Sequence, residues 1–439
     1  MVNEWREVSL WDIAHYINGR ATKPSELCGN DGVPVIKIAE LNRGITEQTD
    51  RIPEELVASE HWVKDGDLLF AWSGSIGIYR YRGPKAALNQ HIFKVIAKSG
   101  YDQLFVRYLL LSQLPIFESH VEDKKTTMGH VTVRDLQRIK VSIPPLPEQR
   151  AIAHILGTLD DKIELNRLMS QTLEQMARAL FKAWFVDFEP VRAKMEGRWK
   201  RGQSLPGLPA HLYDLFPNRL VDSELGEIPE GWRIVEIGDI AHVIDCLHSK
   251  KPERKEAGLP LLQLWNIRDD GLIDMTDTYY IDEADYEKWI TRMEASPGDC
   301  VITNVGRVGA VAQIPDGLKA ALGRNMTGIR CKSSFPFPTF IIECLRSEAM
   351  RNEITLKMDT GTILEALNVR NIPKLRLVLP HLELLRVFEQ SVKPLRARME
   401  LNLLESHTLA TLRDTLLPKL ISSELRVKDA ERFLKERGL

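Results

Sequence analysis

Residues 133–150 read VRDLQRIKVSIPPLPEQR, and residues 369–386 read VRNIPKLRLVLPHLELLR. The second stretch is a copy of the first, 236 positions later, and this offset holds without a gap from Val133 and Val369 to Leu180 and Leu416. The copies share 14 identities over these 48 paired positions, including the tripeptide Glu-Leu-Asn at 164–166 and 400–402. A gapless match over such a long period indicates duplicated domains rather than a solenoid of short repeats.

The stretch that follows in each copy repeats with the period of a packed helix. Residues seven apart are Ile152, Leu159, Asn166, Leu173 and Leu180 in the first copy, and Phe388, Leu395, Asn402, Leu409 and Leu416 in the second. A buried Asn in such a column lowers stability but fixes register and partner choice. We predict that the two helices pack on each other with Asn166 and Asn402 close together, in a register that Leu159, Leu173, Leu395 and Leu409 set. The alternative is that each helix covers its own domain and leaves the Asn exposed.

Composition and charge limit the class of protein. With 439 residues the chain is too long for one ordinary domain, and each half is large enough to bury a core. The five cysteines are scattered without metal-ligand spacing, which suits a reducing compartment, and we expect a cytoplasmic location. Neither a signal peptide nor a stretch long enough to cross a bilayer is visible, so no membrane partner is expected. The net charge is −2, so a nucleic-acid site would need locally concentrated positive charge.

Alternating strands and helices in both copies predict a mixed α+β fold. Each half opens on a Trp followed by an alternating strand, from Trp5 and from Trp232, and each contains strands entered through a Pro, at 33–38 and 259–264. The predicted order is a first globular domain at 1–147, a long helix at 148–186, a linker at 187–228, a second globular domain at 229–382, a second long helix at 383–425, and a charged tail at 426–439.

Matching loops in the two copies supply the candidate binding residues. Glycine-rich loops at 73–77 and 305–309 are either phosphate cradles or tight turns between strands, and the missing helix-opening motif favours turns. The polar groups at 89–91 and 324–325 suit base-edge contacts, although bonding within a neighbouring loop would explain them as well. Two Lys-, Thr- and Gly-containing loops suit phosphate contacts, with solvated loops as the alternative. Together the candidate DNA contacts are Arg80, Arg82, Lys85, Asn89, Gln90, His91, Lys124, Lys125, Thr126, Thr127, Arg307, Arg324, Asn325, Lys357, Thr360 and Thr362.

Catalytic motifs are missing from the sequence. We find no Walker A sequence, no H-E-x-x-H, no G-x-S-x-G elbow, no EF-hand loop and no tetrapeptide typical of amino-methylating enzymes. The chain therefore has the character of a binding and spacing device. The alternatives are a scaffold whose duplicated domains bind protein, and a stand-alone DNA nuclease or methyltransferase with unrecognised motifs.

The ordered set of motifs resembles the DNA specificity subunits of type I restriction–modification systems, over essentially the whole chain. The resemblance rests on PPLPEQR at 144–150 and the helix that follows it, LFKAWFVDFEP at 180–190, and SELGEIPEGW at 223–232. It implies two target-recognition domains, each reading one half of a split site in double-stranded DNA. It also implies that the two long helices pack as an antiparallel coiled coil with pseudo-twofold symmetry and act as a ruler.

The same resemblance implies that the chain itself is not an enzyme and binds no cofactor. Modification subunits, two of them, would dock on it and methylate adenine with S-adenosylmethionine, and restriction (translocase) subunits using ATP and magnesium would join the complex. The second copy departs from the pattern, because Pro380-His381-Leu382-Glu383-Leu384-Leu385 replaces PPLPEQ. A partner contact through Glu148 or Gln149 is therefore not expected to be duplicated.

Overall fold

The computed structural model describes residues 5–123, 130–358 and 365–436, except for the side chains of 120–123 and 433. Its internal contacts divide the chain into two compact units, one of Met1–Ile163 with Thr408–Leu439 and the other of Glu164–His407. Each unit contains one globular domain, part of the first long helix and part of the second. The mixed α+β class and the duplicated plan are as predicted.

The first domain begins and ends on the same pair of strands. Arg6–Ser9 pairs antiparallel with Lys140–Ile143, with Arg6 opposite Ile143. The chain therefore enters and leaves the domain at one place and passes directly into the long helix that starts at Leu146. A capping box between Ser9 and Asp12, with Ser9 Oγ donating to Asp12 Oδ2 at 2.6 Å, turns the first strand into a short helix.

Two four-stranded sheets form the body of this domain. The first is antiparallel, in the order Ala14–Asn18, Ile92–Ala97, Leu68–Ala71, Gly77–Arg80. The second is mixed, in the order Arg51–Ile52, Val33–Ile36, Ala86–Leu88, Trp62–Val63. The α-helices of the domain are Leu10–Ile13, Ile38–Arg43, Gln103–Ser112, Leu114–Asp123 and Val133–Arg138.

The second domain repeats this plan with a shorter second sheet. Arg233–Glu236 pairs antiparallel with Arg376–Leu379 where the domain begins and ends. The antiparallel sheet has the order Ala241–Asp245, Met326–Cys331, Cys300–Thr303, Val311–Gln313, and the mixed sheet has the order Tyr280–Ile281, Leu259–Leu262, Ala321–Leu322. The α-helices are Ile237–Ile240, Glu283–Trp289, Pro338–Arg346 and Glu348–Lys357.

Residues 187–228, predicted as a linker, are folded and packed. They contain the helix Glu189–Met195, the 3-10 helix Ala210–Leu215 and a small strand pair, Leu220–Val221 with Ile228–Pro229. Trp199 and Phe216 are buried in the core of the second unit, against Trp184 of the first long helix. The prolines break regular structure here without preventing burial, so the segment is a packed connection rather than a loose one.

The long helices span Leu146–Phe185 and Leu382–Ile421, forty residues each. They pack antiparallel, because in the second unit Asn166 lies by Asn402 while the later Phe181 lies by the earlier Phe388. In the first unit Leu159 and Leu409 belong to one buried core. Each helix starts slightly earlier than the sequence indicated, since its first turn tolerates Pro147 in the first copy and lacks a breaker in the second.

The two asparagines are buried in the helix pair, as predicted. Asn402 Nδ2 donates to the backbone oxygen of Asn166 at 3.5 Å and to Ser170 Oγ at 3.1 Å. Asn166 Nδ2 donates to Glu405 Oε2 at 2.9 Å. The alternative with exposed asparagines is therefore wrong.

The C-terminal tail is more ordered than a charged tail requires. Val427–Lys435 forms a helix that buries Ala430 and Leu434 in the core of the first unit. Among all described helices, none combines the length and apolar character that crossing a bilayer demands.

Candidate nucleic-acid interface

Several loops converge at one edge of the antiparallel sheet of the first domain. Backbone hydrogen bonds hold them together: Trp72 N donates to His91 O at 3.2 Å, Gly19 N to Ile92 O at 3.1 Å, and Val131 N to Trp72 O at 2.9 Å. We call this region the first loop edge, and it comprises residues 18–20, 72–76, 89–91 and His130.

The glycine-rich loop at this edge is a turn, as the sequence favoured. It joins Leu68–Ala71 to Gly77–Arg80, which pair antiparallel with Ala71 opposite Gly77. Gly74 has φ +70°, a backbone conformation that residues with a Cβ rarely adopt. The loop therefore closes a hairpin and is not followed by a helix that could cradle a phosphate.

Aromatic and amide side chains occupy the first loop edge. The ring of half-buried Trp72 lies 5.8 Å from that of His91 and 6.2 Å from that of His130, and its Nε1 donates to Asn18 Oδ1 at 3.1 Å. Gln90 Nε2 lies 3.2 Å from His91 Nε2. These side chains offer stacking surface and hydrogen-bonding groups, the two properties with which proteins read bases.

Asn89 has the alternative role that the sequence left open. Its side chain is buried, and its Oδ1 accepts a hydrogen bond from the backbone N–H of His91 at 3.2 Å. Its backbone N–H donates to Ile36 O at 3.1 Å. The Asn89 amide therefore shapes the loop that presents Gln90 and His91, and its contact with a base stays a prediction.

The second domain has an equivalent edge with the same three backbone links. Asn304 N donates to Asn325 O at 2.8 Å, Cys246 N to Met326 O at 3.3 Å, and Leu367 N to Asn304 O at 2.9 Å. We call it the second loop edge, and it comprises residues 245–248, 304–309, 323–325 and Ala366. Its glycine-rich loop also joins two antiparallel strands, Cys300–Thr303 and Val311–Gln313.

Arg324 and Asn325 lie at the tip of the second loop edge. Asn325 has φ +65°, the left-handed conformation that Asn tolerates better than most residues. Arg324 is exposed, and among the described residues its guanidinium has neither a hydrogen-bond nor an ion-pair partner. A presented, uncompensated guanidinium suits a phosphate or a guanine edge.

Arg307, in contrast, is largely engaged within the domain. Its Nη1 donates to Ile267 O at 2.6 Å, and its Nη2 lies 2.5 Å from Asp269 Oδ1. These hydrogen bonds connect the glycine-rich loop to the loop after Leu259–Leu262. Arg307 would therefore have to exchange these partners before it could contact DNA.

An open cavity of about 610 Å³ lies beside Arg307 in the second unit. Its lining contains two carboxylates, Asp269 and Glu365, and five arginines: Arg178, Arg268, Arg307, Arg346 and Arg351. Hydrogen bonds to Asp270 raise the pKa of Arg268 above its ordinary value, so that side chain stays charged. The sequence did not identify this group, because Arg178 lies in the long helix and the others are spread over 84 residues.

Trp265 and Lys251 were also missed by sequence reasoning. Lys251 Nζ lies 5.0 Å from the ring centroid of Trp265 and 4.0 Å from that of Tyr279. Burial against these rings lowers the pKa of Lys251. Trp265 immediately follows Leu264, whose side chain lies near Gly306 of the second loop edge. An exposed ring with a cation on its face is a common nucleic-acid contact, but a lone Trp in sequence carries no such signal.

Three candidate cations lie at the opposite end of the first domain's strands. Arg80 ends the strand that begins at the first loop edge, and Lys85 precedes the strand whose far end leads to Asn89. Each has an acidic partner: Arg80 with Asp161 at 3.3 Å, Arg82 with Asp65 at 3.4 Å, and Lys85 with Glu54 at 2.7 Å. The structure therefore does not bring them together with Gln90 and His91.

The remaining candidates lie next to or inside undescribed segments. Lys357 Nζ is 3.5 Å from Glu353 Oε1 at the end of its helix. Lys124, Lys125, Thr126, Thr127, Thr360 and Thr362 lie outside the described residues. His130 and Ala366, just after those segments, form backbone bridges with Ser73 and Val305 at the two loop edges.

One group of described side chains has the reach for a metal ion. Ligand atoms of Asp245, Cys246 and His248 lie within 4.8 Å of one another. Arg292 Nη1 is 3.2 Å from Asp245 Oδ2, which opposes a second cation, and burial raises the pKa of Cys246 and favours its neutral thiol. The group therefore acts as a hydrogen-bonded corner of the second loop edge.

Gln149 has an internal role instead of the partner contact considered from the sequence. It is buried, accepts from Asp102 N at 3.0 Å and donates to Pro144 O at 2.9 Å. It thus joins the start of the first long helix to the helix Gln103–Ser112. The second copy makes this connection with Glu389, whose carboxylate accepts from Thr339 N at 3.1 Å and from Phe340 N at 3.3 Å.

Comparison with known proteins agrees with this architecture. Residues 3–175 match the family model described as type I restriction modification DNA specificity domain. The specificity subunit of the type I restriction enzyme HindI of Haemophilus influenzae is 26% identical over 477 residues, covering 97% of this chain and 100% of that protein. Over nearly its whole length, this chain is similar to type I restriction enzyme specificity subunits.

Further similarities cover nearly the whole chain. The MjaVIII specificity subunit of Methanocaldococcus jannaschii is 23% identical, over 97% of this chain and 94% of that one. The crystal structure of the S subunit of a type I restriction–modification system from M. genitalium matches with a TM-score of 0.55 and 15% identity, over 96% and 97% of the two chains. A structural match at that identity supports the fold. A specificity subunit is the non-catalytic, DNA-recognising component of its enzyme.

Proposed function

We propose that each globular domain of this specificity subunit reads one half of a bipartite site in double-stranded DNA through its loop edge. The observation that supports this proposal is that the loop edge occurs in both domains. The same three backbone bonds hold both edges, yet they present different side chains, Gln90 and His91 in the first and Arg324 and Asn325 in the second. A common frame with different polar groups is what an asymmetric split site requires.

The long helices would set the length of the spacer between the half-sites. Forty residues at ~1.5 Å per residue make each helix about 60 Å long. Burial of Asn166 and Asn402 in the pair fixes one register among those that the leucines alone would permit. Joining two weak half-site contacts through a stiff connection raises the overall affinity through effective concentration.

The middle of the helix pair would bind the modification subunits. Four leucines, placed identically in the two copies, face solvent here: Leu165 is 59% exposed, Leu168 46%, Leu401 56% and Leu404 64%. Repeated apolar side chains on the surface of a helix pair indicate an interface with another protein. Because the leucines occur once in each copy, they fit two modification subunits on equivalent surfaces.

The chemistry would then belong to those partners. The modification subunits would transfer a methyl group from S-adenosylmethionine to the N6 of adenine, and restriction subunits with ATP and magnesium would join the assembly. The specificity subunit would contribute DNA sequence and geometry.

Methylome sequencing tests the reading role. We expect cells that express this chain with its neighbouring methyltransferase gene to show a split, adenine-methylated motif that disappears when only this chain is deleted. The same motif without the chain would refute the proposal. DNA cleavage or methylation by the purified chain alone would favour the stand-alone enzyme instead.

A leucine substitution tests the docking role. We expect Leu165→Glu combined with Leu401→Glu to abolish co-purification of the modification subunits without lowering the melting temperature, because both side chains already face solvent. Leu356→Glu is the matched control, since Leu356 is 77% exposed in a helix of the second domain. Unchanged co-purification in the double variant would place the docking surface elsewhere.

A further inference from the structure

A partly buried ion pair joins the first domain to the first long helix. Arg107, on the helix Gln103–Ser112, places Nη1 2.5 Å from Asp160 Oδ2. Tyr108 Oη also donates to Asp160 Oδ2, at 2.7 Å, and Arg413 of the second long helix donates to Asp160 Oδ1 at 2.7 Å. We call this group the first joint.

A buried ion pair also joins the second domain to the second long helix. Glu343, on the helix Pro338–Arg346, accepts from Arg396 Nη1 at 2.9 Å. Arg396 Nη2 donates to Gly271 O at 2.8 Å, and both charged side chains are almost fully buried. We call this group the second joint.

The two joints occupy equivalent positions with opposite charge. Arg107 and Asp160 are 53 residues apart, and so are Glu343 and Arg396. Each residue of the second pair lies 236 positions after its counterpart, which is the offset of the duplication. The globular domain supplies the cation in the first joint and the anion in the second.

The neighbouring charges differ between the copies as well. Arg413, which contacts Asp160, corresponds to Ala177 in the first copy. Arg346 pairs with Glu174 in the second unit, and the corresponding residues of the other copy are Leu110 and Ala410. The charges around the two joints therefore differ, although Arg413, on the second long helix, stays beside Asp160 whichever domain is attached.

We propose that the reversed joints make the two globular domains non-interchangeable, each accepted by its own long helix only. The surface around Asp160 accepts a domain that brings a cation, and the surface around Arg396 accepts one that brings an anion. A second domain placed on the first helix would set Glu343 against Asp160, and a first domain on the second helix would set Arg107 against Arg396. Like charges held together out of water are strongly unfavourable, which is how proteins reject wrong partners.

This arrangement would disfavour a recombined chain in which either domain is placed on the other long helix. The inference concerns assembly of the chain and does not depend on the proposed DNA contacts. It predicts that domains can be exchanged between copies only if residue 107 or 343 is changed at the same time.

Point variants of the full-length chain provide the first test. Arg107→Met removes the cation, whereas Arg107→Glu adds an anion beside Asp160. We expect Arg107→Glu to lower the melting temperature of the first unit by roughly 6 °C or more beyond Arg107→Met. Reversing the whole joint, with Arg107→Glu, Asp160→Arg and Arg413→Glu together, should recover at least half of that loss. Equal melting of the two single variants, or no recovery on full reversal, would overturn the proposal.

A domain transplant provides the second test. Residues 5–143 are replaced by a second copy of residues 232–379, either unchanged or with Glu343→Arg in the transplanted copy only. We expect amide hydrogen exchange in helix residues 152–163 to be at least tenfold faster in the unchanged transplant than in the one carrying Glu343→Arg. Equal exchange in the two transplants, fast or slow, would show that charge at the joint does not select the domain.

Discussion

The side-chain amide of Asn402 donates to the backbone carbonyl of Asn166 at 3.5 Å, across the buried centre of the helix pair. A second bond, to Ser170 Oγ at 3.1 Å, leaves the Asn402 side-chain oxygen buried without a hydrogen-bond partner among the described residues. A buried acceptor without a donor costs about 1–3 kcal/mol. Asn402 thus makes the pair less stable than an apolar residue would, and its contribution is to register.

Asn402→Leu should therefore raise stability while relaxing register. We expect the melting temperature to rise by about 2–4 °C, as removal of roughly 1 kcal/mol of unfavourable burial implies for a unit of this size. Thermal unfolding followed by circular dichroism measures this. Methylome sequencing of cells carrying the variant should reveal a minor class of sites with a different spacer.

Asn166→Leu is the matched control. Its amide donates to Glu405 Oε2 at 2.9 Å, so the substitution removes a good hydrogen bond to a carboxylate. We expect this variant to gain no stability. A rise equal to that of Asn402→Leu would mean that the two asparagines are equivalent despite their different partners.

Lengthening both long helices should lengthen the spacer of the recognised site. Seven residues inserted after Asn166 and seven before Asn402 keep the heptad columns in phase, retain the contact of the two asparagines and add about 10.5 Å to the pair. At ~3.4 Å per base pair, this corresponds to a spacer about three base pairs longer. Methylome sequencing gives the spacer directly, and an unchanged spacer would exclude the helix pair as its determinant.

Insertion in one helix alone provides the control. Because the helices run antiparallel and Asn166 meets Asn402, a single insertion shifts every contact beyond the insertion point by one heptad. We expect a lower melting temperature and loss of methylation, instead of a new spacer. A functional single-insertion variant would argue that the pair does not act as one unit.

The organisation of the fold could be predicted from the sequence because residue types recur in it at regular intervals. The offset of 236 residues gave the duplication, and the seven-residue columns gave the helix pair with Asn166 and Asn402 at its centre. These signals depend on the spacing of residue types along one helix, which tertiary contacts do not alter. The packing of Trp199 in the predicted linker depends on Tyr213 and Phe216, which follow it in the same segment without a regular spacing, and the local prolines indicated a loose segment.

The candidate interface was only partly predictable, for a related reason. Residue type identified Arg82, Asn89 and Arg324 as equally suitable, but their availability depends on which neighbours the fold supplies. Arg82 has Asp65 as a partner and Asn89 bonds to its own loop, whereas Arg324 is presented without a partner among the described residues. The reversed polarity of the two joints likewise becomes visible only when residues 53 positions apart are known to touch.

Arg324 and Arg82 should differ in their importance for DNA binding. We expect Arg324→Ala to weaken binding of a duplex carrying the methylated motif by about tenfold, the effect of about 1.4 kcal/mol, because an unpaired guanidinium at the loop edge is lost. Arg82→Ala should change affinity less than twofold, since Arg82 lies at the opposite end of the strands beside Asp65. Fluorescence anisotropy with the subunit bound to its modification partners measures both.

The salt dependence would distinguish the kind of contact that Arg324 makes. Loss of one phosphate contact should reduce the slope of log affinity against log salt by about one, equally for specific and unrelated duplexes. Loss of a base contact should weaken binding of the specific duplex only. Similar losses for Arg324→Ala and Arg82→Ala would remove the distinction between the two ends of the domain.

Asp160 should make the stability of the first unit depend on acid pH. Burial alone would raise its pKa, but the ion pair with Arg107 and the hydrogen bonds from Arg413 and Tyr108 outweigh it, so the pKa lies below its ordinary value. A carboxylate with a lowered pKa stabilises the fold above its unfolded pKa of about 3.9, and this stabilisation is lost as pH falls through the lower folded pKa. We expect the free energy of unfolding of wild type to exceed that of Asp160→Asn by about 1–2 kcal/mol at pH 7 and by progressively less below pH 4. Urea unfolding between pH 3 and 7 gives this difference.

Asp161→Asn serves as the control. Exposed Asp161 makes only a surface ion pair with Arg80, so this substitution should change the free energy of unfolding by less than about 1 kcal/mol at every pH. A difference between wild type and Asp160→Asn that stays constant with pH would mean that the charge of Asp160 does not stabilise the joint.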